Sequence, residues 1–165
     1  MHSEGVFGQK LVSATTGTVL VQEAELARIH GEITIDRPVE EVFDFVSDEC
    51  NEPRYNPQML SVEKLSPGPI GSGTQFRVQM KSGAPMLLEF TTFERPVRLG
   101  SHTSFSGVTI DGELTFEGRG DSTLMYWDWN ITPSGALKIL TPFIVWMGRR
   151  QETRIWSDLK RCLEE

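Results

Sequence analysis

The residues of this chain that could do chemistry are scattered. Acid/base work needs a carboxylate, histidine or arginine turned into a pocket, where burial moves its pKa towards the working pH. Tyr55, Arg77, Glu89, Glu94 and His102 are the candidates. Arg77 falls on the polar side of an alternating stretch, and Glu89 lies opposite Leu88 and Phe90, so neither is expected to face inward. A Tyr or His at a pocket mouth more often closes the entrance than reacts, and no catalytic residue is assigned. His2, His30 and His102 stand apart, and His30-Gly31-Glu32 has no downstream cysteine pair of the kind a zinc deaminase needs. Cys50 and Cys162 are far apart and form no C-x-x-C, which argues against a disulfide framework or a zinc site. Gly71-Ser72-Gly73 does not extend to a dinucleotide fingerprint, and no Gly-Lys-Ser/Thr phosphate loop exists, so neither metal nor cofactor is predicted. Arg119-Gly120-Asp121 reads as turn chemistry, and the Asn130-Ile131-Thr132 sequon is idle without secretion.

With 165 residues the chain is sized for one domain with some interior volume to spare. Its net charge of −7 and pI near 5.0 argue against nucleic acid and against a strongly anionic membrane surface. The N-terminus lacks a cationic start followed by an apolar core, and the longest apolar run, Phe143 to Met147, is too short to span a bilayer. A reducing cytoplasm and no stable membrane insertion are the expectations.

Residues 1–26, rich in Gly, Ser and Thr around a short apolar run at Val19 to Val21, read as an extension ordered only by docking. From Ala27 the pattern changes. Ile29, Ile33 and Ile35 alternate with polar residues as a half-buried strand should. Asp36 is placed to cap a helix whose apolar face is Val39, Val42, Phe43 and Val46, with Pro38 and two glutamates, Glu40 and Glu41, at its start. Pro53 and Pro57 bracket a second short helix or turn holding Tyr55 and Asn56. Ser61 to Ser66 then reads as a strand, followed by candidates at Thr74–Met80, Met86–Glu94, Arg98–Ser106, Thr109–Glu117 and Thr123–Thr132. Short links predict an antiparallel meander. Alternation gives it one apolar face, with Phe76, Val78, Met80, Ile110, Leu114, Phe116, Met125, Trp127, Trp129 and Ile131. Leu88, Phe90, Thr92, Leu99, Thr103 and Phe105 are assigned to the same side.

From about Ser134 to Glu164 the period is helical, with Leu137, Ile144, Gly148, Ile155, Leu159 and Cys162 on the face that should grip the sheet. Arg149, Arg150, Arg154, Lys160 and Arg161 lie away from it, as a solvated face does. Pro142 predicts either a kink, which would open one end of the interior, or a fresh start capped by Thr141. Ile139, Phe143 and Trp146 form a second apolar stripe that a lone helix would expose. The extension or a loop would cover it; a dimer partner or a transient membrane contact are the alternatives.

The succession DRPVEEVFDFVSD, EPRYNPQM, GPIGSGTQF, a hairpin around Gly120 and a terminal SDLKRCLEE resembles the START and birch-pollen-allergen-like (SRPBCC) superfamily, within it the polyketide cyclase/dehydrase and lipid transport group. The resemblance runs from about Ala27 to the end, residues 27–165. It implies an α+β helix-grip fold: a curved antiparallel sheet of six to seven strands around a long C-terminal helix, with two short helices after the first strand. It also implies a cavity for a hydrophobic small molecule such as a lipid, polyketide, quinone or aromatic compound. Tyr55, Phe76, Val78, Leu88, Phe90, Thr103, Phe105, Leu114, Phe116, Trp127, Trp129, Thr141 and Ile144 are then the expected lining, although the same residues could simply fill a core. The leading reading is a noncatalytic carrier or sensor. Its rivals are a polyketide aromatase/cyclase-like enzyme and a protein-interaction module using Ile139, Phe143 and Trp146.

Overall fold

A computed structural model describes residues 27–165, so the expectations for the extension and its Val19 to Val21 run lie outside the described residues. The described residues open with β1 (Arg28–Ile35) and pass through α1 (Val39–Ser47) and a 3-10 turn (Glu49–Arg54). The chain then runs through β2 (Met59–Lys64), β3 (Gln75–Met80), β4 (Met86–Glu94), β5 (Arg98–Phe105), β6 (Val108–Arg119) and β7 (Ser122–Pro133). A second 3-10 turn (Gly135–Leu140) leads into α2 (Thr141–Glu164). The strands form one seven-stranded sheet in the order β1-β7-β6-β5-β4-β3-β2, every neighbouring pair antiparallel. This is the helix-grip arrangement. Consecutive strands from β3 to β7 are joined by short turns, β2 and β3 by the loop 65–74, and β1 reaches across to pair with the last strand.

Several local expectations need correction. Pro38, not Asp36, occupies the cap position of α1, and the Asp36 amide instead donates to the Glu164 carboxylate at 2.7 Å, tying the end of β1 to the end of α2. The first 3-10 turn starts before Pro53 because the Asp48 carboxylate accepts from the Cys50 amide at 3.1 Å; Tyr55 closes the turn rather than sitting within it. β2 begins two residues earlier than predicted, with a register shift between Met59 and Ser61. In β4 a bulge between Phe90 and Thr92 reverses the alternation, so Phe93 rather than Thr92 joins the apolar side, opposite Leu99.

Pro142 starts a helix rather than bending one. It lies in the first turn of α2, where its missing N–H leaves no hydrogen bond unmade, and the 3-10 turn supplies the change of direction. Thr141 is the first helical residue, Leu140 the cap, and the Thr141 hydroxyl donates back to the Lys138 carbonyl at 2.7 Å. The residues α2 buries are Val145, Ile155, Trp156, Leu159 and Leu163, so the gripping face is rotated slightly from the predicted one; Ile144 and Cys162 sit half-buried at its margin. Gly148 belongs to the grip because any side chain there would collide with Ile29. Between sheet and helix lie two apolar clusters. The larger joins α1, the sheet and the C-terminal half of α2; the smaller gathers Ile29, Val108, Ile131 and Val145, and Trp129 touches both.

Candidate functional site

β7 directs Trp127 and Trp129 inward on alternate residues, and the neighbouring strands make room for them. Trp127 stands opposite Gly31 of β1, and Trp129 opposite Gly112 of β6. A Cβ at either glycine would fall within the facing indole ring, so the missing side chains are a condition for the rings' positions. α2 contributes Glu152 and Trp156, four residues apart and therefore on one helical face. The 3-10 turn and the residues after it contribute Glu49, Glu52, Tyr55 and Asn56.

These groups form one chain of contacts. The Trp129 indole N–H donates to Glu152 Oε2 at 2.9 Å. The Trp127 and Trp156 rings lie 5.8 Å apart between centroids, and Trp156 and Tyr55 6.4 Å apart. Asn56 Nδ2 donates to Glu52 Oε1 at 2.8 Å. Trp127 and Trp156 are each only 6% exposed, yet neither indole N–H has an acceptor in hydrogen-bond geometry, and Glu49 Oε2 is equally without a partner. Buried donors in folded proteins are nearly always paired, so the two orphaned indole N–H groups and the single orphaned Glu49 oxygen are exceptions that set this part of the core apart.

The electrostatics follow from burial. Desolvation, opposed by the Trp129 hydrogen bond and reinforced by the charge of Glu52, raises the Glu152 carboxyl to about 7. The Trp156 indole N–H opposes the shift more weakly, being close enough to favour the ionised carboxylate without forming a well-aligned hydrogen bond to it. Burial pushes Glu49 well above the usual carboxylate range, and Glu52 adds to this through its charge and a hydrogen bond. The Tyr55 phenol is raised by burial first and then by the charges of Glu52, Glu49 and Glu152. Near neutrality the site therefore offers two indole donors, a Glu49 carboxyl shifted towards its protonated form and a carboxyl at Glu152 balanced between its two states. It can bind an oxygen acceptor in an apolar setting, and Glu152 can give or take a proton.

The expected lining residues separate into groups. Tyr55, Trp127 and Trp129 belong to this site. Phe76, Val78, Phe90, Leu114 and Phe116 are buried further along the sheet, and rings there meet edge to face, with Phe76 to Phe90 at 5.3 Å and Phe43 to Phe116 at 5.2 Å. Leu88 packs half-buried against them, and Thr103 is half-buried between Leu88 and Ile110 in the register of β5. Phe105 and Ile144 join the smaller cluster, and Thr141 opens α2, so these three lie at the far end of the helix from Tyr55.

The ionisable candidates other than Tyr55 are engaged elsewhere. Arg77 pairs with Glu63 at 2.7 Å, Glu89 accepts from Gln75 at 2.8 Å, Glu94 pairs with Arg98 at 2.7 Å, and His102 Nδ1 lies 2.6 Å from Asp111. Sequence reasoning missed Glu49, Glu152 and Trp156. A signal for Glu152 was present: it lies four residues after Gly148 and three before Ile155, within the stripe that grips the sheet, and a carboxylate there must be buried or break the stripe. Trp156 follows from the same helical spacing; Glu49 carries no comparable pattern.

Two depressions border these elements. A smaller one of about 320 Å³ opens between the first 3-10 turn and the end of α2, bounded by Pro53, Arg54, Tyr55, Pro57, Asp158, Arg161, Cys162 and Glu165. It reaches Tyr55, from which the rings of Trp156 and Trp127 continue inward. A larger one of about 880 Å³ lies against β1, β7 and β6 and is bordered chiefly by residues of the outer sheet face, among them Arg28, His30, Glu32, Asp111, Glu113 and Asp128. Its charges are largely paired, with Arg28 Nε donating to Asp128 at 2.6 Å, and it suits water better than an apolar molecule.

The family described as polyketide cyclase/dehydrase and lipid transport matches residues 27–164. No curated protein matches the chain in sequence. Among solved structures, a START superfamily protein from Mycobacterium smegmatis superimposes with a TM-score of 0.72 at 15% identity, over 83% of this chain and 97% of the other. The protein TTHA0849 from Thermus thermophilus gives 0.68 at 16% identity, over 81% and 94%. The di-domain ARO/CYC BexL, from the BE-7585A biosynthetic pathway, gives 0.69 at 17% identity over 83% of this chain and 46% of its own, so this chain corresponds to about half of BexL. At such identities the likeness shows the fold. The family match spans nearly all the described residues, and the chain belongs to the polyketide cyclase/dehydrase and lipid transport family.

Proposed function

We propose that this protein binds a hydrophobic small molecule bearing carbonyl or similar acceptor oxygens, admitted beside Tyr55 and held between the inner sheet face and α2. The single observation that carries this reading is the pair of buried indole N–H groups, Trp127 and Trp156, that have no acceptor. An apolar ligand with an oxygen at that point would satisfy donors that otherwise cost about 1–3 kcal/mol each. Trp129, already bonded to Glu152, would form a wall, and Phe76, Phe90, Leu114 and Phe116 would form the apolar floor beyond. Native mass spectrometry of the purified protein tests this. A retained apolar adduct is expected, and failure to bind any member of lipid, quinone and aromatic polyketide panels overturns it.

A second reading, an aromatase/cyclase-like enzyme, has its own support in Glu152, a half-buried carboxyl poised at about 7 beside the same indoles. Here Glu152 would remove a proton from a methylene between two carbonyls and return it to an oxygen. Glu152→Gln should keep binding and lose turnover of a poly-β-carbonyl substrate; equal turnover in both proteins would remove this reading. A carrier must also reach the phase that holds its ligand. The exposed Ile139, Phe143 and Trp146 stripe is where such a contact, with a membrane or a second copy, would be made.

A further inference from the structure

The apolar stripe at the start of α2 is open to solvent among the described residues. Ile139 is 84% exposed, Phe143 58% and Trp146 59%, and Leu140 and Met147 are about half exposed beside them. Phe143 and Trp146 stack on each other at 6.1 Å between centroids rather than on the body of the protein. Phe143, Trp146, Met147 and Arg150 recur at i, i+3, i+4 and i+7, which places them along one line of the helix. Scattered exposed apolar residues are ordinary, but a contiguous set with two stacked aromatic rings is a contact surface.

The charge around it identifies the partner. The chain as a whole carries −7, and that balance argues against an anionic surface, but the balance is not local. From Trp129 to Gln151 there is no Asp or Glu, and the only charged residues are Lys138, Arg149 and Arg150, all exposed. Lys138 precedes the apolar line and Arg149 and Arg150 follow it. A second copy of this face would bring cations against cations, which disfavours a symmetric pairing through it. An anionic lipid surface takes both parts at once: the rings and Ile139 enter the headgroup boundary while lysine and arginine stay at the level of the phosphates. No described helix is long and apolar enough to cross a membrane, so the contact is peripheral.

We propose that the segment from Lys138 to Arg150 docks this protein on an anionic lipid bilayer. The proposal does not depend on the ligand, and its test uses no ligand. Flotation of the full chain with phosphatidylcholine vesicles, with and without phosphatidylglycerol, should show binding that requires the anionic lipid and weakens as salt is raised. Phe143→Asp with Trp146→Asp should lower the bound fraction at least tenfold with an unchanged circular dichroism spectrum, since both side chains are exposed. Lys138→Glu with Arg150→Glu should abolish the preference for phosphatidylglycerol. Absence of vesicle binding by the parent at low salt overturns the proposal, as does equal binding by the parent and the aspartate variant. A concentration-dependent dimer lost in that variant, without vesicle binding, would assign the stripe to a second copy and equally overturn it.

Discussion

The two halves of the larger cluster are built from different rings, and the difference separates what holds the fold from what the fold presents. At one end Phe43, Phe76, Phe90, Phe93 and Phe116 pack ring against ring, mostly edge to face, with no polar atom to satisfy. Each such ring contributes about 1.5–3 kcal/mol by leaving water, and its burial carries no penalty. At the other end Trp127, Trp129, Trp156 and Tyr55 bury comparable apolar area together with donors, and two of the three indole donors have no acceptor. Phenylalanine, although smaller, would carry no such unpaired donor. The phenylalanine end stabilises, whereas the tryptophan end gives up stability for polar groups turned inward.

The largest effect should come from the phenylalanine end. Phe90→Ala should cost about 3–5 kcal/mol in urea unfolding, because Phe90 is fully buried and touches both Phe76 and Phe93. A loss below about 1 kcal/mol would mean that this end is loosely packed and that the contrast is false.

The next effect is on pH. Glu152 titrates from 4.5 up to about 7 on folding, so as pH rises the unfolded chain releases this proton first and the folded state binds more protons across that interval. Its contribution therefore favours folding at the acid end and is lost as pH rises from about 4.5 to about 7, by roughly 3 kcal/mol. Glu49, also raised, adds in the same direction. Glu152→Gln should remain flatter than the parent across that window in urea unfolding followed against pH. Parallel curves would show that Glu152 is not held in a desolvated site.

Gly112→Ala should cost about 1–3 kcal/mol, because its methyl group must displace the Trp129 ring and with it the hydrogen bond to Glu152. The smallest effect has the opposite sign. Trp156→Phe removes an orphaned N–H while keeping a ring, and should leave stability unchanged or raise it by about 1 kcal/mol in thermal unfolding. A clear loss of stability would mean that this donor is satisfied in solution.

Much of this fold was legible in the sequence because it is written in periods and turns. The meander strands, the inward faces of β3, β6 and β7, and the family resemblance all follow from alternation and from the order of short motifs. The β4 face was misassigned past Phe90 because one extra residue at a bulge leaves no mark in composition. Pro142 admitted two outcomes, and the choice between them depends on how the second 3-10 turn meets the sheet. The site was less legible. Trp127, Trp129 and Tyr55 stood out as large rings on predicted inward positions, but Glu152 and Trp156 became visible only when the α2 face was fixed against the sheet. A carboxylate within an apolar stripe is a weak signal until its burial is known.

The account turns on whether the orphaned indoles recognise an oxygen acceptor. The direct measurement is titration of the parent and the Trp127→Phe, Trp156→Phe double variant with anthraquinone and with anthracene, ring systems of matched size with and without carbonyl oxygens. If the indoles donate to the ligand, the parent should bind anthraquinone about tenfold more tightly than the variant, as two modest hydrogen bonds imply, while anthracene binds the two proteins alike. Equal affinity of both proteins for anthraquinone would contradict the account.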